Sequence, residues 1–244
     1  MSNANLPQQQ LRQGAEALGL TLNDTQIAQL LGYHALIQKW NKVYNLTAIR
    51  DPAEMLTHHL LDSLAIVAPL RIRLAGLAYH DDGEHDSEQV GGADTGASQY
   101  LYKLLDVGAG AGLPGVVLAI CCPDIHITCV DAVAKKMAFV QQVATELKLP
   151  NLKALHARVE TLRDKYDIIT SRAFATLLDF VTGSRAALKP ETGVWLAMKA
   201  KDTATEVAEL PADVAVFHVE QLAVPGLDAE RCIVWMRESN AKKA

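Results

Sequence analysis

One stretch restricts what this chain can fold into more than any other: Lys103-Leu-Leu-Asp-Val-Gly-Ala-Gly-Ala-Gly-Leu-Pro-Gly115. Its apolar start predicts a strand over 104–107 that breaks at Gly108 into a loop holding Gly110, Gly112 and Gly115. Pro114 suits the first turn of a following helix, where a missing N–H costs nothing. Glycines at a strand-to-helix turn let the backbone come close to a bound molecule, and the helix N-terminus favours a polar, anionic group. The layout is that of a nucleotide-type cofactor site in an α/β fold.

Downstream the pattern repeats. Apolar runs predict strands at Leu104 to Val107, Ile125 to Val130, Leu152 to Leu155, Asp167 to Thr170 and Val194 to Met198. Helices fit between them at Pro114 to Ile120, Ala134 to Leu147, a short one from about Val159, and Thr176 to Leu188. Continuous apolar strands separated by helices imply a parallel sheet covered on both faces. Val214 to Val219 and Cys232 to Met236, joined through Pro225-Gly226 with no helical pattern, read instead as an antiparallel pair at one edge.

Upstream, residues 1–74 read as a helical cap. Asn23 caps a helix through Ile27, Leu30, Leu31, His34, Ile37, Trp40 and Tyr44; Asn45-Leu46-Thr47 interrupts it. Asp51-Pro52 opens a second helix through Met55, Leu56, His59, Leu60, Leu64 and Val67, in which His59 follows the apolar pattern into the core. Residues 75–100 have no such pattern. They carry Asp81, Asp82, Glu84, Asp86, Glu88 and Asp94 with no Lys or Arg, and read as a mobile acidic insertion. His80 and His85 lie there, but the composition favours a solvated loop over a metal site.

Those six carboxylates account for more than the whole net charge of −5. The remainder is near neutral, so a local basic face for nucleic acid stays possible. No apolar run approaches the ~20 residues that span a bilayer, and the first residues do not resemble a signal peptide, so the cytoplasm is the expected location. Cys121, Cys122, Cys129 and Cys232 fall in or beside apolar stretches without a C-x-x-C pair, as reduced core residues do.

Gly110-Ala-Gly-Leu-Pro-Gly115 formally satisfies the dinucleotide pattern G-x-G-x-x-G, which keeps NAD in view. Asp106, two residues before Gly108, favours S-adenosylmethionine: a carboxylate there faces the cationic amino end of a methionine but repels a pyrophosphate. Asp131 closes the second strand, where it accepts from ribose hydroxyls of either cofactor. The terminal strand pair favours a methyltransferase sheet over a dehydrogenase sheet.

Leu105-Asp-Val-Gly-Ala-Gly-Ala-Gly-Leu-Pro-Gly115, with Thr170-Ser-Arg-Ala-Phe-Ala175, Trp40-Asn-Lys-Val-Tyr-Asn-Leu-Thr47 and His58-His-Leu-Leu-Asp-Ser63, resembles the bacterial small-subunit rRNA guanine-N7 methyltransferases, the glucose-inhibited division protein B family. The resemblance implies a Rossmann-like class I S-adenosylmethionine methyltransferase domain over 101–244, with a seven-stranded, mostly parallel sheet. It implies methylation of N7 of guanine 527 in the 530 loop of 16S rRNA, on naked rRNA or the small ribosomal subunit, by a monomer with no metal and no membrane partner. Carried over, it places Gly108 and Leu113 at the cofactor in the glycine loop, Val159 and Glu160 beside the adenine, and Arg172 next to cofactor and incoming base. With Asp106, Gly110 and Asp131 these form the candidate cofactor site.

The chemistry agrees. Guanine N7 presents an unprotonated ring lone pair, so in-line attack on a sulfonium methyl needs neither a general base nor a cysteine nucleophile. Catalysis is then positioning and desolvation. Arg172 and Lys199 are candidates to orient guanine or an adjoining phosphate, and Phe174 to stack on a base. Lys39, Lys42, Asn45, Arg50 and His58 are candidates for RNA contact from the cap, with loop or single-stranded RNA as the target. An NAD-dependent oxidoreductase and a non-catalytic RNA-binding module are the alternatives.

Overall fold

A computed structural model of the chain describes residues 6–81, 100–172, 176–200 and 203–239. Among the described residues, five α-helices and one π-helical turn precede the sheet. After α1 (Leu6–Ala17), α2 (Asp24–Tyr44) opens on a reciprocal cap in which the Asn23 side chain accepts from Gln26 N and the Gln26 side chain from Asn23 N. It ends at Asn45, which adopts the left-handed conformation that asparagine tolerates. Asp51 Oδ1 accepts from Ala53 and Glu54 N and starts α3 (Pro52–Met55) with proline as its first residue.

The second cap helix expected from the sequence is not one regular helix. It passes into a π-helical turn, Leu56–Leu61, then α4 (Asp62–Leu64), and after a turn at Ala65-Ile66 resumes as α5 (Val67–Asp81). The π turn lies where His58 and Asp62 reach across to Arg172, a tertiary contact that local periodicity does not encode. Helix α5 also runs to Asp81, into the segment read as the start of the acidic insertion. Residues 82–99 of that insertion, with His85, lie outside the described residues, as does Phe174.

The strands are β1 (Tyr102–Val107), β2 (Ile125–Asp131), β3 (Leu152–His156), β4 (Ile168–Ser171), β5 (Val194–Ala200), β6 (Val214–Leu222) and β7 (Arg231–Glu238). They form one sheet in the order β3-β2-β1-β4-β5-β7-β6, parallel throughout except for β7, which runs antiparallel to both neighbours. The five parallel strands and the terminal antiparallel pair stand where the sequence pattern predicts them.

Between strands lie α6 (Gly115–Cys121), α7 (Ala134–Glu146), α8 (Leu177–Ser184) and α9 (Ala204–Ala208). Pro114 is the cap before α6, not a residue of its first turn. The short helix expected at Val159 is one 3-10 turn, Val159–Thr161. The helix expected over 176–188 stops at Ser184, whose hydroxyl donates to Phe180 O and accepts from buried Trp195 Nε1; a 3-10 turn, Arg185–Ala187, follows. α1 falls within the segment read as a helical cap, whereas α9, which buries none of its residues, has no apolar stripe to be read from the sequence.

Side chains alternate across the sheet with the period of two that strands impose. Leu104, Ile127, Ile168 and Leu196 enter one core cluster with α6, α7 and the cap helices; Leu105, Val130, Ile169 and Trp195 enter a second, on the α8 side. The cap therefore shares a continuous core with the sheet. Strand order reverses direction between β1 and β4, which opens a crevice at the carboxyl ends of these strands. Among the described residues no helix is long and apolar enough to cross a membrane.

Candidate cofactor and nucleic-acid site

The glycine loop leaves β1 at that crevice. Gly108 N and Ala109 N both donate to Val130 O, which folds the loop over the end of β2. Gly110 adopts a φ of 60°, open to glycine at no steric cost, and its N–H donates to Asp131 Oδ2 at 3.1 Å. The other Asp131 oxygen accepts from Val133 N at 2.8 Å, and Lys136 Nζ lies 3.3 Å from Oδ2. From the cap, buried Tyr33 donates its hydroxyl to Ala111 O at 2.7 Å. The loop is thus held from β2 on one side and α2 on the other.

Gly115 has a separate role. A Cβ there would overlap Cys129 Sγ and lie 2.8 Å from Asp106 Oδ2, so only glycine lets α6 pack this close to the sheet. Its N–H donates to Asp106 Oδ2 at 2.8 Å, which makes Asp106 the buried acceptor for the first turn of α6. Asp106 Oδ1 is buried without a partner among the described residues. Burial pushes this carboxyl up to about 7, with the Gly115 bond and nearby Arg172 acting against it.

Two cavities open along the carboxyl edge. The first, about 230 Å³, is lined by Val107, Val130 and Val159 together with Gly108, Asp131, Arg158 and Glu160. It brings together four of the residues expected at the cofactor: Gly108, Asp131, Val159 and Glu160. Apolar walls suit a base, and carboxylates accept from hydroxyl or amino groups. Gly110, Leu113 and Asp106 do not line it: Leu113 is buried in the core, while Gly110 and Asp106 set the loop.

The second cavity, about 350 Å³, is lined by Ile49, His58, His59, Asp62 and Met198 together with Arg172, Lys199 and Arg231. Arg172 follows directly on β4, and its Nη1 donates to His58 O at 2.7 Å and Asp62 Oδ2 at 3.1 Å. Lys199, largely buried, pairs with Glu206 at 2.8 Å; the same carboxylate accepts from Leu177 N at the start of α8. His59 is core, as expected. Its Nε2 lies 2.9 Å from Thr47 Oγ1, and burial followed by the charge of Arg172 lowers it to about 4, which leaves it neutral.

Arg172 therefore stands in the second cavity and not the first. Of the cap candidates, His58 lines this cavity. Lys39, Lys42, Asn45 and Arg50 are exposed around the end of α2 and the loop after it, and Arg50 Nη2 donates to Asn45 Oδ1 at 3.3 Å, one residue from the cavity wall at Ile49. Two site residues escaped the sequence reading. Asp62, 3 % exposed, carried a signal as a lone carboxylate in an apolar helical pattern; Arg231, ahead of a strand, looked like an ordinary surface charge.

Residues 26–72 and 93–234 match the family described as rRNA small subunit methyltransferase G. A protein named ribosomal RNA small subunit methyltransferase G from Albidiferax ferrireducens is 62% identical over 232 residues, 95% of this chain and 97% of its own. Namesakes from Acidovorax ebreus and Methylibium petroleiphilum are 59% and 55% identical, over 97% and 93% of this chain and the same shares of theirs.

Proposed function

The chain belongs to the rRNA small subunit methyltransferase G family, and from that premise we propose that it transfers a methyl group from S-adenosylmethionine to N7 of a guanine in 16S rRNA, guanine 527 of the 530 loop. Family membership closes the NAD reading that the glycine spacing alone leaves open. The observation that carries the proposal is the pairing of two unlike cavities on one sheet edge. One is largely apolar, with two carboxylates and a single arginine, Arg158; the other presents three cations.

The residues of the first cavity fit the cofactor. Val107, Val130 and Val159 suit a purine face, Glu160 its polar edge, and Asp131 the ribose hydroxyls; a carboxylate has acceptor sites beyond those its backbone donors use. The orphaned Asp106 Oδ1 suits the cationic methionine end, since a positive neighbour offsets the cost of burying its charge. When bound, the cofactor supplies the electrophilic methyl. The protein's own work is on the RNA side. Arg172 and Lys199 orient guanine or its phosphate, and Ile49 and Met198 help exclude water. Neutral His59 takes no proton, nor is one on offer, because N7 carries none.

Incubation of the protein with methyl-labelled S-adenosylmethionine and small ribosomal subunits lacking the modification tests this. Label should enter 16S rRNA at one guanine that then becomes sensitive to N7-specific strand cleavage, and a folded Arg172→Ala variant should transfer far less. Label on an exocyclic amine or a pyrimidine would sink the assignment.

A further inference from the structure

Among the described residues that line the second cavity, Asp62 is the single carboxylate. Its side chain is 4% exposed and lies between two guanidinium groups: Oδ2 accepts from Arg172 Nη1 and Oδ1 from Arg231 Nε, each at 3.1 Å. The three residues come from separate parts of the chain, namely α4, the end of β4 and the start of β7. Arg172 is further fixed by His58 O, and Arg231 by Nη1 donating to Glu230 O at 3.2 Å. No described residue engages Arg172 Nε or Nη2, or Arg231 Nη2.

Arg172 and Arg231 share Asp62 while Lys199 is paired with Glu206, so three cations against two carboxylates leave one surplus positive charge on the two guanidinium groups. A buried ion pair is a poor device for stability alone, because desolvation consumes most of the attraction. The cap is in any case joined to the sheet by a shared core and by the bidentate Arg71–Asp124 pair. What the arrangement does achieve is preorganisation. Without the carboxylate, two long cations would repel each other and turn to solvent.

We infer that Asp62 is a positioning residue that holds Arg172 and Arg231 as a ready-made pair for an anionic oxygen. On the function proposed above, that oxygen belongs to an RNA phosphate next to the target guanine. The carboxylate of the methionine moiety has similar chemistry, and the two sources separate experimentally.

The test uses the full chain as wild type, Asp62→Asn, Arg231→Ala and the double variant, all checked for folding by circular dichroism. Calorimetry with S-adenosylhomocysteine reads the cofactor side; kcat and KM for unmodified small subunits read the RNA side. Each single variant should raise KM for the particle about tenfold and leave kcat within about twofold. S-adenosylhomocysteine affinity should not change. The double variant should fall short of the product of the two single effects, since Asp62 acts in part through Arg231 and in part through Arg172. Arg231→Ala should also lower the slope of log KM against log salt by about 0.7–1, one phosphate contact. Unchanged KM in the folded single variants overturns the inference, whatever happens to their melting temperatures. Lost S-adenosylhomocysteine affinity at constant KM also overturns it, by assigning the pair to the cofactor. If Asp62→Asn does not fold, the salt slope of Arg231→Ala decides alone. Failure of the wild-type chain to bind S-adenosylhomocysteine would instead refute the proposed function, and this inference with it.

Discussion

Asp131 and Asp106 lie one strand apart and do different work. Asp131, in the lining of the first cavity, already holds Gly110 N and Val133 N, so its loss disturbs the loop and, on the proposed function, a contact to the ribose. Asp131→Ala should weaken S-adenosylhomocysteine binding by about 1–3 kcal/mol, read by calorimetry; an unchanged affinity would remove this residue from the cofactor site. Asp106 makes a prediction about pH. Its carboxyl, pushed up to about 7 from the ordinary 3.8, stays protonated in the fold where an unfolded aspartate is ionised. Its contribution to stability is therefore fully present below about pH 4 and lost as pH rises through 7. His59, lowered to about 4 from 6.5, has the opposite sign: its contribution is present above pH 6.5 and lost as pH falls through 4. Asp106→Asn removes the first effect alone. Between pH 5 and 8 the urea midpoint of the cofactor-free variant should fall less with rising pH than that of wild type. Superimposable profiles would mean that the Asp106 carboxyl does not titrate in this range.

Among the elements, α6 is the most tightly constrained. Its N-terminus presses on Asp106 and Cys129 through Gly115, and at its C-terminal end Asn151 Nδ2 donates to the carbonyls of Ala119 in its last turn and of Cys122 and Ile125 just after it. Gly115→Ala should cost about 1–3 kcal/mol of unfolding free energy through overpacking, and a second change, Cys129→Ala, should restore part of it. Additive losses in the double variant would place the strain elsewhere. The glycine's need for space was legible in the motif; the atom it spares was not, because Cys129 lies on the next strand. The π turn teaches the same lesson. Its residues have ordinary helical spacing, and what distinguishes them are tertiary contacts such as Arg172 from β4 on His58 O and Thr47 on His59.

On the scale of the molecule, the cap and sheet share one core. Ile27, Leu30, Tyr33 and Ile37 of α2 belong to the same cluster as Val116, Phe139 and Val140 behind the glycine loop. Unfolding should then be one cooperative transition, with a calorimetric to van't Hoff enthalpy ratio near about 1; two resolved transitions would make the cap a domain of its own. Alternating apolar strands and helices, the glycine loop and the edge pair determined the sheet, because hydrophobic period and turn chemistry are local properties. They also located Gly108 and Asp131 of the first cavity, each at the end of its own strand; Val159 and Glu160, which complete it from beyond β3, were implied only by the family resemblance. The second cavity was decided only in three dimensions. His58 and Asp62 from the cap, Arg172 from β4, Lys199 from β5 and Arg231 from β7 are far apart in sequence. Each alone looks like a surface charge or a core residue, and what makes them a site is a carboxylate buried between two guanidinium groups.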